Sequence, residues 1–109
     1  MKKQWKDKWI KALLSGEYAQ GKGALCTEGK KHGKFCCLGV LCDIAGPNKW
    51  RVSGIHGEVC WGRENAVYLP PDYLVDKVGL SDAEVISLAN LNDNGKKFKT
   101  IAKYIEEYL

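Results

Sequence analysis

The run Phe35-Cys36-Cys37-Leu38-Gly39-Val40-Leu41-Cys42-Asp43-Ile44-Ala45 constrains the fold of this chain more than any other feature. Wound as a helix, its apolar side chains cover every side, with Gly39 and Asp43 the exceptions. A helix with no polar face has to be packed all round by the rest of the chain. A buried strand is the competing reading, but strands usually span only about 5–6 residues, and this run is longer. Gly46-Pro47 ends it.

The flanking segments can supply that cover. Lys2 to Ser15 reads as an amphipathic helix, with Trp5, Trp9, Ile10, Ala12 and Leu13 on one wide face and Lys3, Asp7, Lys8 and Lys11 opposite. Lys6 interrupts the apolar face and is expected to reach out of it along its aliphatic stem. Residues 17–34 form a glycine- and lysine-rich loop with a short strand-like piece at 24–27. Gly21 and Gly23 lack the rest of any phosphate-binding fingerprint. Between 48 and 69, three short β-prone runs separated by glycines predict a small antiparallel sheet of two or three strands. Pro70-Pro71 leads into a short helix stopped by Gly79. Ser81 and Glu84 then form a capping box, with Leu80 and Val85 as its hydrophobic staple. Asn92-Asp93-Asn94-Gly95 reads as a turn. A last helix from about Lys96 to Leu109 carries Phe98, Ile101, Ala102, Tyr104, Ile105 and Tyr108 on one arc. The expected fold is α+β: helices packed round a buried central helix, a small antiparallel sheet from residues 48–69, and a single domain over 1–109.

Composition narrows the function classes. No apolar run approaches the roughly 20 residues of a membrane helix, and no apolar stretch follows the N-terminal lysines, so a cytoplasmic protein without membrane contact is expected. A reducing compartment suits five cysteines, an odd number, read as buried apolar thiols. The net charge of +4 is concentrated in the first eleven residues and in Lys30, Lys31, His32 and Lys34. That charge permits an anionic partner and leaves weak nucleic-acid binding open, but no DNA-binding motif is present.

Four constellations bear on chemistry. Cys26, Cys36, Cys37, Cys42 and Cys60 have spacings that gather poorly round zinc, so no metal or cofactor is expected, although a zinc-stabilised domain stays an alternative. Cys36 or Cys37 near a helix start, His56 as base, Gln20 as oxyanion donor and Asn65 or Asp72 as orienting group would make a cysteine-dependent hydrolase or transferase. The sequence signature of papain-like nucleophiles is absent. Asp43, alone in an apolar helix, must be hydrogen-bonded or paired, for example with Arg51 or Arg63, and is otherwise a ligand-binding group. Trp50 and Trp61 beside Arg51 and Arg63 have the composition of a binding surface.

Leu13, Ser15-Gly16-Glu17-Tyr18, Gln20, Leu25, Phe35 through Asp43, Leu69-Pro70, Leu91-Asn92-Asp93, Gly95, Phe98, Ile101-Ala102 and Ile105 together form a recognisable pattern. It resembles a family of small uncharacterised proteins common in bacteriophage genomes and in bacteria as prophage remnants. The resemblance covers nearly the whole chain. A serine or threonine usually precedes the terminal-helix phenylalanine in that pattern; here the position is Lys97, without a hydroxyl. The resemblance implies an accessory protein of a phage or prophage, acting in a bacterial host cytoplasm in host takeover or counter-defence. The leading expectation is a non-enzymatic binding module that engages a host protein or a small anionic ligand. Its expected surface combines Arg51, Trp61, Arg63 and Lys31 of the basic loop, with Asp43 nearby.

Overall fold

The apolar run does form the central helix, and the other elements are arranged around it. The structure, a computed structural model, describes residues 1–27, 33–53 and 58–109. In chain order the elements are α1 (Lys3–Leu14), β1 (Ala19–Gln20), β2 (Lys34–Phe35), α2 (Cys37–Ala45), β3 (Trp50–Ser53), β4 (Glu58–Trp61), α3 (Asp72–Val78), α4 (Asp82–Asp93) and α5 (Phe98–Tyr108). This is an α+β architecture of five helices and two small sheets among the described residues.

Every residue of α2 from Cys37 to Asp43 is buried. Helices α1 and α4 pack on it, and α5 closes over both. The helix starts two residues later than the apolar run. Phe35 belongs to β2, which pairs in parallel with β1 through Ala19–Lys34 and Gln20–Phe35. Burial on all sides makes strand and helix residues look alike in sequence, so the run gives no boundary between them. At Gly39 the chain makes its closest approach: a Cβ there would collide with the carbonyl of Leu25. Leu25 belongs to the loop between β1 and β2, yet it is fully buried. Its backbone is paired on both sides, its N–H donating to the Val67 carbonyl at 2.7 Å and its carbonyl accepting from Cys36 N–H at 3.2 Å.

The amphipathic helices bury the faces their patterns specify. Trp9 and Leu13 of α1 are buried, and Trp9 Nε1 donates to the Cys37 carbonyl at 2.9 Å. Lys6 leaves the apolar face as its stem allows and donates to the Glu106 carbonyl at 3.0 Å. On α5, Phe98, Ile101, Ala102 and Ile105 are buried. The capping box at α4 is complete, with Ser81 N–H to Glu84 Oε1 at 2.8 Å and Glu84 N–H to Ser81 Oγ at 3.1 Å. Gly79 closes α3 in the left-handed conformation, φ +81°.

The Asn92–Gly95 stretch departs from expectation. Helix α4 continues through Asp93, and Asn92 is fully buried. Its Oδ1 accepts from Cys37 N–H at 3.1 Å and from Gln20 Nε2 at 3.0 Å, while its Nδ2 donates to the Gly21 carbonyl at 2.7 Å. Gln20 in turn accepts from Phe98 N–H at 3.0 Å and donates to the Lys96 carbonyl at 2.7 Å. Lys97 occupies the N-cap of α5 with no side-chain cap, and the distant amide of Gln20 performs that task.

The antiparallel sheet pairs Trp50–Trp61, Arg51–Cys60, Val52–Val59 and Ser53–Glu58. Two other strand-like segments contribute single bridges, Cys26–Phe35 and Trp61–Ala66, rather than strands. The packing predicts the response to two substitutions. Gly39→Ala has no room and should cost about 3 kcal/mol, the upper end for overpacking. Asn92→Ala takes the partner from the buried Cys37 N–H at roughly 1–3 kcal/mol, and from the partly buried Gly21 carbonyl at less, while Gln20 Nε2 keeps the Lys96 carbonyl. Urea denaturation of both variants checks this: each should lower the unfolding midpoint, and an unchanged midpoint in either would overturn the packing argument.

Candidate functional site

The loop after α2 and the turn after β4 meet on one side of the antiparallel sheet. Gly46 closes α2, its N–H donating to the Cys42 carbonyl at 2.9 Å. Its own carbonyl accepts from Lys49 N–H at 3.2 Å and from Trp61 Nε1 at 2.9 Å. A Cβ on Gly46 would lie 2.8 Å from Lys49 Cδ and 3.0 Å from the Trp61 ring, so the stem of Lys49 and the indole share the space a side chain would fill. After Trp61 the chain turns through Gly62 (φ +76°) and Asn65 (φ +54°) and bridges back at Ala66. Glycine and asparagine are the residues that tolerate this left-handed conformation. The turn carries Arg63 and Glu64.

These segments line an open groove of about 670 Å³, within the range of small-molecule sites. Asn48, Lys49, Trp50 and Arg51 line it together with Gly62, Arg63 and Glu64, the two segments joined by Gly62 N–H donating to the Lys49 carbonyl at 3.1 Å, and Tyr73 of α3 adds to the lining. Arg51 Nη2 donates to Asn65 Oδ1, which also accepts from the Cys60 thiol at 3.7 Å. Lys49 Nζ sits 5.3 Å from the Trp61 ring centroid and 5.5 Å from that of Tyr73, and the two rings stack at 6.1 Å and 20°. Among the described residues, no carboxylate lies within ion-pairing distance of Lys49, Arg51 or Arg63; the ion pair there is Lys3–Asp7 on α1.

Arg51 and Arg63 both line this groove. Trp61 does not: it is 1% exposed and supports Tyr73 and Lys49 from beneath instead of offering a surface of its own. Both sides of β4 are covered at Val59–Trp61, so no alternation marks which side chain reaches solvent. Lys31 and His56 lie outside the described residues. Lys49 and Tyr73 were not anticipated. Lys49 adjoins Trp50-Arg51 in a run of cation and aromatic that could have suggested it, whereas Tyr73 reaches the groove only through the packing of α3.

Asp43 lies behind the groove at 6% exposure. It accepts from Tyr18 Oη at 2.6 Å and Trp50 Nε1 at 2.9 Å, so its partners from these elements are aromatic donors and not arginine. Phe35 meets both of those rings edge-on, at 5.1 Å from Tyr18 and 5.7 Å from Trp50. Burial, helped by the hydrogen bond to Asp43 and its charge, holds the Tyr18 phenol well above its ordinary range. Asp43 therefore fixes the ring of Trp50 at the groove wall.

All five cysteines are buried, unpaired thiols. Cys36 occupies the N-cap of α2, its sulfur accepting from Gly39 N–H at 3.3 Å. That contact favours the thiolate, but burial outweighs it and raises the pKa. Cys37 is driven well above its ordinary value by burial and by neighbouring Cys36, and its thiol donates to the Leu88 carbonyl at 3.6 Å. Both candidate nucleophiles are therefore held as inaccessible thiols, and the amide of Gln20, the candidate oxyanion donor, is committed to helix α5 and Asn92. Among the described residues no three histidine, cysteine or acidic side chains gather closely enough to hold a metal ion. None of the described helices is long and apolar enough to cross a membrane.

A family model described as a domain of unknown function, DUF8296, matches residues 1–56. No curated protein and no solved structure matches the chain.

The thiols set an alkaline limit on stability. Burial, with the charges of Asp43 and Cys36, pushes Cys26 from 9.0 to about 11, and burial raises Cys36, Cys37 and Cys42 as well. An acid whose folded pKa is raised stabilises the fold below its unfolded pKa and loses that contribution as pH climbs towards the folded value. The Tm should therefore fall between pH 9 and 11. Cys42→Val should flatten that slope by up to about 1.4 kcal/mol per pH unit.

Proposed function

The chain belongs to the DUF8296 family, and from that premise we propose that it is a non-enzymatic binding module whose groove takes a small anionic ligand. One observation carries the reading. Lys49, Arg51 and Arg63 line one concavity without a carboxylate in ion-pairing distance among the described residues. Three like charges gathered at a groove repel one another, and an anion bound between them removes that repulsion. Arginine supplies planar, paired donors suited to carboxylate or phosphate, and lysine a point charge.

The buried thiols favour a binding role over cysteine catalysis, because catalytic cysteines sit in exposed electropositive surroundings that lower their pKa. The groove favours a small ligand over a host protein, since it is concave and mixes aromatic with cationic lining. The setting remains that implied by the sequence pattern: an accessory protein of a phage or prophage in a bacterial cytoplasm, withholding or sensing a host metabolite.

Charge reversal tests the site. Arg63→Glu should remove anion binding, measured by calorimetry with inorganic pyrophosphate and with nucleoside phosphates, while the Tm stays within about 2–4 °C, as for a substitution at an exposed turn. Unchanged affinity in the reversed variant would move the site away from this groove.

A further inference from the structure

We propose that the ligand of this groove is a nucleoside phosphate, with its phosphate on Arg51 and Arg63 and its base on the ring of Tyr73. The proposal rests on the reading of the groove as an anion site and adds the rest of the molecule.

The groove is too large and too varied for a bare anion. Its lining joins three cations to two aromatic rings, Trp50 and Tyr73, together with Asn48 and Glu64. Glu64 accepts hydrogen bonds and repels phosphate, and its Oε1 and the Tyr73 hydroxyl both approach Gly62, so a polyanion filling the whole groove meets like charge near Tyr73. A ligand with one charged end and one polar, uncharged end avoids that conflict. Glu64 and Asn48 suit the hydroxyls of a sugar or the amino edge of a base.

Tyr73 is built as a platform. One face stacks on buried Trp61, which is itself anchored to the Gly46 carbonyl, while 42% of the residue remains exposed. The Tyr73 hydroxyl also closes on Gly62, where a Cβ would lie 3.3 Å from it. A ring held this way loses little freedom when a base stacks on it. Trp50 is fixed likewise by Asp43 and Phe35 and walls the groove beside Arg51. Arg51 is steadied by Asn65, and its remaining guanidinium donors are available to a phosphate.

The test is a calorimetric titration of the full chain with the four nucleoside 5′-monophosphates, ADP, ribose 5-phosphate and inorganic phosphate. At least one nucleotide should bind tenfold or more tighter than ribose 5-phosphate. Tyr73→Leu, which keeps an apolar cover over Trp61, should weaken nucleotide binding roughly tenfold, the worth of one stacked base, and leave ribose 5-phosphate unchanged. Tyr73→Phe should restore it. Equal affinity for nucleotide and ribose 5-phosphate would overturn the nucleoside assignment while leaving the anion groove standing. Absence of binding by every phosphate would overturn both. Binding of a single-stranded oligonucleotide with no affinity for its monomers would also overturn the proposal, in favour of a strand-binding surface.

Discussion

The side-chain amide of Asn92 holds the fold in register. It is fully buried and makes three hydrogen bonds, to the first residue of α2, to Gln20 and to Gly21. The N-terminal amides of a helix have no intrahelical partner and must find one elsewhere. Asn92 meets that need for α2, and Gln20, bonded to Asn92, meets it for α5. Two carboxamides in contact thus tie two helix starts to one two-residue strand. An apolar residue at position 92 would fill the volume but take the acceptor from the buried Cys37 N–H and the donor from the Gly21 carbonyl, at a cost exceeding the net gain of any single bond.

That connection explains why a loop belongs to the core. Gln20 and Gly21 are fixed by Asn92, so β1 lies beside β2, and the chain that follows is laid across α2 at Gly39. Leu25 and Cys26 become core residues although they stand in no helix. Asp93 strengthens the same arrangement by accepting from Gly23 N–H at 2.9 Å. Buried loop backbone is costly unless paired. Here the pairing comes from Val67 on one side and Cys36 on the other.

Much of this was legible in the sequence where a feature is local. The all-apolar run of α2, the amphipathic patterns of α1 and α5, and the Ser81–Glu84 capping box each depend on residues within a few positions of one another, and each is present. Asn92 was not legible, because Asn-Asp-Asn-Gly has the composition of a turn. Hydrogen bonds to residues more than fifty positions away override that local preference. The β1–β2 pair is too short to show any period. Trp61 beside Arg51 and Arg63 has the makings of a surface cluster, and only the covering of β4 on both sides reveals that the indole is a support. Arg51 and Arg63 stand out in the sequence by their aromatic neighbours, but Tyr73 arrives from a helix whose docking no short-range pattern encodes.

The core and the groove divide the polar side chains by use. Among the described residues every buried side-chain nitrogen or oxygen has a hydrogen-bond partner, so the interior leaves no polar demand unmet. Asp43 shows what this means for charge. It is the buried carboxylate nearest in sequence to the groove segment, and it is engaged with Tyr18 and Trp50. Had it instead paired with Arg51 or Arg63, one of the three groove cations would be compensated and Trp50 would lose this acceptor. The bond to Trp50 fixes one wall of the groove, and among the described residues no carboxylate pairs with its cations. A fold that satisfies its interior so fully, while gathering Lys49, Arg51 and Arg63 at one concavity, concentrates its unmet electrostatic demand where a ligand can answer it.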